Sequence, residues 1–402
     1  MILTTRRSDW GGRATAVEVD VLTPEAAVDF LLARSGWDDR VGTVALADAL
    51  GHLPLALEHA GAFLRNTPSL TFARYQAEVE RRLARAPRHA DYPVSVAGTF
   101  TLAIEKAAAE AAQAADLMSL LCWFAPEQVP LYLFEGEAEG AFNPLDLDDA
   151  VTALASVSLI KTDPIDADTP AVTLHRLIAL AERQRLHTED RAEAAGQRAV
   201  ALAAAHPKGT YNDIATWPRA NQLSAHVQAL FAAGIATGAD TPSLLANAAS
   251  FLHACGAYSL AEPLQREAIA IGERHLGRDH PTVANWLHNL CSLLEDLSRL
   301  DEAEAHVREA LDIAGKALGD GHPNVAIFRT RLAGLLLRTA RVGEAEVEGR
   351  AALVVLDAAF GSEHERTRQA VVVTADALEV LGRGEEARAL RGRYGVSAAV
   401  SG

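Results

Sequence analysis

The sequence predicts a mainly α chain whose C-terminal part is a solenoid of helix-turn-helix repeats. Three observations carry this. Ala and Leu dominate a composition with only 5% aromatic residues, and both lose little side-chain entropy in a helix. Apolar residues keep helical spacing over long stretches, as in Val283-Ala-Asn-Trp-Leu-His-Asn-Leu-Cys-Ser-Leu-Leu294. Three segments also recur at an offset of 42 residues: Leu276-Gly-Arg-Asp-His-Pro281, Leu318-Gly-Asp-Gly-His-Pro323 and Phe360-Gly-Ser-Glu-His-Glu365. A fixed period of this size marks units that bury a continuous core only by stacking on one another.

Other columns hold the same register. Ala261, Ala303, Ala345 and Ala387 form one; Ala268, Ala310 and Ala352 a second; Ala249, Cys291, Ala333 and Ala375 a third. Small side chains at fixed places let helices approach closely. Gly277, Gly319 and Gly361 are expected in the left-handed conformation that ends a helix. Pro281 and Pro323 suit the first turn of the next helix, where a missing N–H costs nothing. Each repeat is then a first helix, a short turn near 298–301, a second helix, and the Gly-x-x-His-Pro connector.

These features resemble the tetratricopeptide repeat in its longer, kinesin-light-chain-like form, over about residues 240–395. The resemblance implies a concave groove lined by the first helix of each repeat and holding an extended peptide or protein segment. It places Asn289, with Asn247 one repeat earlier, at the frequent Asn contact; the same column continues as Arg331 and Val373. The arginine points to a partly acidic ligand. His288, Arg329 and Arg338 are weaker groove candidates. His280, His322 and His364 also recur, but stacked repeats hold them too far apart to share one metal ion. Their expected role is structural, as is that of Cys291 in its small-residue column.

Charge and cysteine content narrow the function classes. The net charge is −16 with a pI near 5.3, so no basic face for general nucleic-acid binding is indicated. The lysines are Lys106, Lys161, Lys208 and Lys316. Cys122, Cys255 and Cys291 form no Cys-x-x-Cys pair, so neither a zinc knuckle nor a disulfide framework is indicated, which fits a reducing compartment. The first ten residues lack a signal-peptide core, and no run reaches 18 apolar residues. A soluble, cytoplasmic protein with no membrane partner is expected.

The N-terminal half reads differently. Short apolar strands are expected at Ile2–Thr5 and Val17–Leu22, then a helix with Thr23 as N-cap and Pro24 as its first residue. Helices follow over Val44–Ala49 and Leu55–Arg65, separated by Gly51-His-Leu-Pro54. Residues 95–190 hold helical stretches and a hairpin, out along Leu159–Pro164, turning at Ile165–Thr169, and back along Ala171–Leu174.

This order resembles the downstream end of the NB-ARC module of STAND-type regulatory ATPases, followed by a winged-helix domain. Three motifs carry the likeness: Thr4-Thr5-Arg6, Gly51-His-Leu-Pro54-Leu-Ala-Leu57 and Leu174-His175-Arg176-Leu177. The resemblance implies that Arg6, Pro54 and His175 are vestigial contacts to ADP or ATP. Arg176 stands where the family has an Asp, which puts that Asp's autoinhibitory role in doubt. No Gly-x-x-x-x-Gly-Lys-Ser/Thr loop is present, nor an apolar strand ending in paired acids. ATP hydrolysis therefore lacks its positioning machinery. The chain reads as starting within a nucleotide-binding domain, whose phosphate-binding half would lie on a separate P-loop polypeptide or be lost. The helix Leu147–Ala155 is acidic with no Arg or Lys, against DNA contact by a winged helix. Expected segments are residual strands over 1–22, a helical NB-ARC subdomain over 23–92, a winged-helix-like domain over 93–190, connecting helices over 191–239 and repeats over 240–402.

Three functions follow. The first is an interaction or signalling scaffold that uses the repeat groove. The second is a weak ADP-binding regulator or half of a split ATPase. The third is an atypical enzyme using the scaffold as a pocket; His175, His206 and Glu262 are candidate acid-base groups, but no spacing joins them into a mechanism. No cofactor or metal is required by any motif.

Overall fold

A computed structural model describes residues 21–83, 94–136, 141–204, 213–235 and 238–397. The expected strand Ile2–Thr5 and Arg6 lie outside these, as do His206 and all of the expected strand Val17–Leu22 except Val21 and Leu22. The described residues are mainly helical, and the chain divides into two compact units, at Ala195/Gly196.

The first unit opens with α1 (Pro24–Ser35), α2 (Arg40–Ala49), α3 (Pro54–Arg65) and α4 (Phe72–Leu83). Thr23 caps α1, its Oγ1 accepting from the Ala26 N–H at 3.3 Å, and Pro24 and Pro54 occupy first-turn positions. Next come α5 (Val94–Glu110), α6 (Ala114–Leu121), the strand β1 (Val129–Pro130), α7 (Pro144–Ser156), β2 (Ile160–Thr162), β3 (Ala171–Leu174) and α8 (Arg176–Thr188). The expected hairpin is present: β2 and β3 pair antiparallel with Ile160 opposite Leu174. β1 adds to the far side of β3, giving the order β1-β3-β2. The α3 helix meets the end of α7 through polar contacts. The His59 ring lies 3.3 Å from the Val157 carbonyl, Asn66 donates to Ser156 O, and Arg34 bridges Glu58 at 2.7 Å and Ser158 at 2.9 Å.

α9 (Ala192–Ala203) contains the division, and α10 (Trp217–Ala232) follows in the second unit. The repeats are α11 (Thr241–Ala254) with α12 (Tyr258–Leu276), α13 (Pro281–Asp296) with α14 (Leu300–Leu318), α15 (Pro323–Arg338) with α16 (Val342–Phe360), and α17 (Glu365–Val380) with α18 (Gly384–Tyr394). The three small-residue columns are buried, with every member at most 2% exposed. The connector glycines have positive φ, +88°, +84° and +82°, but ψ lies between 150° and 171°. They therefore do not adopt the left-handed helical conformation. They take the positive-φ extended region, which is open essentially to glycine alone.

The recurring histidines have a definite task. His280, His322 and His364 are N-caps, and each Nδ1 accepts the backbone N–H two residues on, at 3.1–3.2 Å. His175 caps α8 in the same way. A cap of this kind satisfies one of the free donors at a helix start. His322→Ala is therefore expected to cost about 1 kcal/mol in urea unfolding, and His322→Asn to recover most of it.

A groove on the first helices of the repeats

A groove of about 1140 Å³ runs across the first helices of the four repeats. Side chains from α11, α13, α15 and α17 line it because these positions follow the i, i+3, i+4 spacing of one helical face. The predicted residues Asn247, His288, Asn289 and Arg331 all line it. Two predicted residues do not. Arg338 reaches Glu295 at 3.2 Å and is outside the lining. Arg329 turns to a separate shallow site, where it holds Asp320 and Glu348 at 2.9 Å each.

Sequence reasoning missed Asn285, Asn324, Glu295 and Arg366, which also line the groove. The side-chain amides of Asn285, Asn289 and Asn324 make no hydrogen bond within the described residues, and each presents both a donor and an acceptor. Asn285 precedes Asn289 by one turn on α13, so the two share a face. Arg366 has no carboxylate partner within 4.0 Å among the described residues; its side chain donates to the side-chain carbonyl oxygen of Gln369 at 3.4 Å.

The groove floor is electrically organised. Glu295 accepts from Arg331 at 3.3 Å and from Arg338 at 3.2 Å, so one carboxylate faces two guanidinium groups. Cys291 points its thiol at the same carboxylate, and burial, reinforced by Glu295, pushes that thiol far up. It is therefore a small buried neutral group, as expected from its column. His288 stacks on Phe328 with ring centroids 4.8 Å apart. Burial drives its pKa down to about 3, aided by the positive charges of Arg331 and Arg366. Its Nδ1 is buried without a hydrogen-bond partner. The ring is thus neutral at ordinary pH and sits in a cationic neighbourhood.

The second helices carry a different pattern. Arg299 reaches back to Glu262 at 2.7 Å and down its own helix to Glu302 at 2.7 Å, while Arg266 reaches Glu302 at 3.3 Å. The same four-residue clamp recurs with Arg341, Glu304, Glu344 and Arg308, and again with Arg383, Glu346, Glu386 and Arg350. Glu262 thereby loses its standing as an acid-base candidate. Despite its own desolvation, hydrogen bonds from Arg266 and Arg299 hold its carboxyl below the usual range. Among the described residues no group of three His, Cys, Asp or Glu side chains could hold a metal ion. No helix among them is long and apolar enough to cross a membrane.

The tetratricopeptide-repeat family profile matches residues 240–314 and 282–353. No curated protein matches the chain. Among solved structures, the nearly identical tetratricopeptide-like repeats of a Podosopora anserina protein named for kinesin light chain align at 19% identity and a TM-score of 0.37. That alignment covers 53% of this chain and 89% of the other. BtubC from P. vanneervenii aligns at 17% identity and a TM-score of 0.35, over 74% of this chain and 89% of the other. A signal transduction ATPase with numerous domains and a tetratricopeptide-repeat sensor, from Pyrococcus horikoshii, aligns at 15% identity and a TM-score of 0.34. It is covered over 55% of its length by 94% of this chain. The C-terminal unit of the present protein is thus an α-solenoid of helix pairs, and residues 240–353 of it match the tetratricopeptide repeat.

Proposed function

We propose that the groove binds an extended segment of a partner protein and that the chain works as a signalling or interaction scaffold. The observation that carries this reading is the set of unengaged amides, Asn285, Asn289 and Asn324, spread over two adjacent helices in one groove. An extended peptide offers its main-chain N–H and C=O groups at regular spacing, and a side-chain amide matches both. Arg366, and the excess of guanidinium over carboxylate around Glu295, favour acidic side chains in that segment. Glu363 and Glu365 also line the groove, so this attraction is local to the guanidinium groups of Arg331, Arg338 and Arg366.

An array of 12-residue peptides of varied sequence, probed with the full chain, tests the reading. Peptides that bind are expected to be lost with Asn289→Ala, by roughly tenfold or more for a broken pair of hydrogen bonds. They are expected to be kept with Arg329→Ala. Binding that ignores Asn289, or no binding by any peptide, removes the groove from the account.

A second reading concerns the first unit. The succession α6, β1, α7 and the β2–β3 hairpin supports a winged-helix-like domain of STAND derivation. Its α7 carries Asp146, Asp148 and Asp149 and no Lys or Arg, so a structural or regulatory role fits it better than DNA contact. Residual ADP binding through Arg6, Pro54 and His175 belongs to the same reading. His175 spends Nδ1 on its cap, which leaves Nε2 as the nitrogen for a phosphate. Calorimetry at millimolar ADP decides it: heat that His175→Ala removes is the expected result, and no heat with the native chain ends it.

A further inference from the structure

The pattern that joins each repeat to the next is altered at α18, position by position. Glu262, Glu304 and Glu346 supply the acceptor for the next repeat's arginine, and 42 residues further on the position is Arg388. Arg266, Arg308 and Arg350 supply the cation for the next repeat's glutamate, and the continuation is Gly392. A further repeat placed in register would bring its arginine against Arg388 and find no partner for its glutamate.

The packing positions change in the same sense. In the column Gln265, Val307, Gly349, the side facing the next first helix is used for contact. Gln265 donates to the Trp286 carbonyl at 2.8 Å, and a Cβ on Gly349 would lie 2.4 Å from Thr374 Oγ1. The fourth member is Arg391, whose side chain is 6% exposed and folds back onto Asp376 and Glu379 of its own repeat. The column Ala268, Ala310, Ala352 ends in Tyr394. That ring is buried with Ala352, Leu356, Ala370 and Val371, and its hydroxyl donates to Asp357 at 2.8 Å. Even the first-helix contacts turn inward. His253 reaches Asp296, and Glu295 reaches Arg338, across a repeat boundary; Glu379, in the same column, is taken by Arg391.

We infer that α18 is a terminator: Arg388, Arg391 and Tyr394 close the α17–α18 face to another repeat in register, whether from this chain or from a second copy. A solenoid end left open invites heterologous stacking into filaments, and a changed end face prevents it. Here the change combines an inverted charge, a buried arginine paired within its own repeat, and a ring too large for the seat that alanine leaves elsewhere.

Two extended versions of the full chain test this. In the first, residues 361–397 are repeated directly after Gly402, which continues the 42-residue register and leaves α18 native. In the second, residues 342–397 replace residues 384–402, so that the sequence of α16 stands in place of α18 and a fresh α17–α18 pair follows. Amide hydrogen exchange in the added copy of α17 is expected to be at least tenfold slower in the second chain than in the first. Equal exchange in the two, fast or slow, overturns the inference. Should the second chain lose helicity, Arg388→Glu with Gly392→Arg in the first chain tests the clamp alone; slower exchange in the added helices supports it and unchanged exchange overturns it.

Discussion

Replacing Gly272 by alanine is expected to destabilise the C-terminal unit by about 3 kcal/mol, the upper end of the usual overpacking cost. In an ordinary mid-helix position the same change stabilises, because glycine costs up to about 1 kcal/mol relative to alanine. The sign reverses here because a Cβ on Gly272 would sit 2.1 Å from one ring carbon of Trp286 and 2.9 Å from another. The indole cannot swing aside: it is 6% exposed, and its residue's carbonyl is held by Gln265. This contact sets the approach of α12 to α13, the helix that presents Asn285 and Asn289. Gly321→Ala is the control, since nothing lies within 4 Å of its Cβ position, and it should change stability by less than about 0.5 kcal/mol. Urea unfolding measures both; equal midpoints would contradict the packing described.

The second large effect is acid sensitivity with a histidine origin in each unit. Burial lowers the pKa of His59 to about 4, partly opposed by its bond to Val157, with His175 and Arg34 adding small repulsions. Burial lowers that of His288 to about 3. Both folded values lie below the ordinary 6.5, so the unfolded chain takes up the proton first. The stability each group contributes is complete above pH 6.5. It falls as pH drops towards 4 for His59 and towards 3 for His288. At pH 5 the loss is about 2 kcal/mol per histidine. Carboxylate titration contributes little until lower pH, so the window from 6.5 to 5 reports on histidines; burial also lowers His175 in the first unit and His306 in the second, which add to the slope there. His288→Gln should reduce the pH dependence of the C-terminal unit's urea midpoint in that window, leaving the share due to His306, and an unchanged slope would contradict the assignment.

How much of this was readable from the residues differs by feature. The repeat period, the small-residue columns and the proline starts were legible because they are local and recur. The histidine caps were not, since the usual capping residues are Ser, Thr, Asp and Asn, and the Nδ1 acceptor shows only in the backbone geometry. Asn285 was within reach, one turn before Asn289 on the same face. Asn285 stands in a different 42-residue column from Asn289, whose neighbours Ser243 and Ile327 carry no amide. Arg366 follows Thr282 and Asn324 in its column, so no repeated residue type marked it. The engagement of Arg331 and Arg338 with Glu295 spans 36 and 43 residues and depends on how successive repeats turn, which spacing alone does not give. The clamps are the opposite case. Glu262, Glu304 and Glu346 precede Arg299, Arg341 and Arg383 by 37 residues each time. Read as a column, Glu262 would have been seen as one of three equivalent structural acids and not as an acid-base group.

A partner segment is proposed to lie in the groove across α11, α13, α15 and α17. Photo-cross-linking is the most direct measurement. A peptide selected on the array is synthesised with a photoreactive residue at successive positions, irradiated with the full chain, and the adducts are mapped by mass spectrometry. Adducts are expected on groove residues such as Ser250, Asn289, Thr330 and Gln369, moving from one helix to the next as the reactive position moves along the peptide. Adducts confined to the outer faces of α12, α14 and α16, or to the first unit, would contradict it.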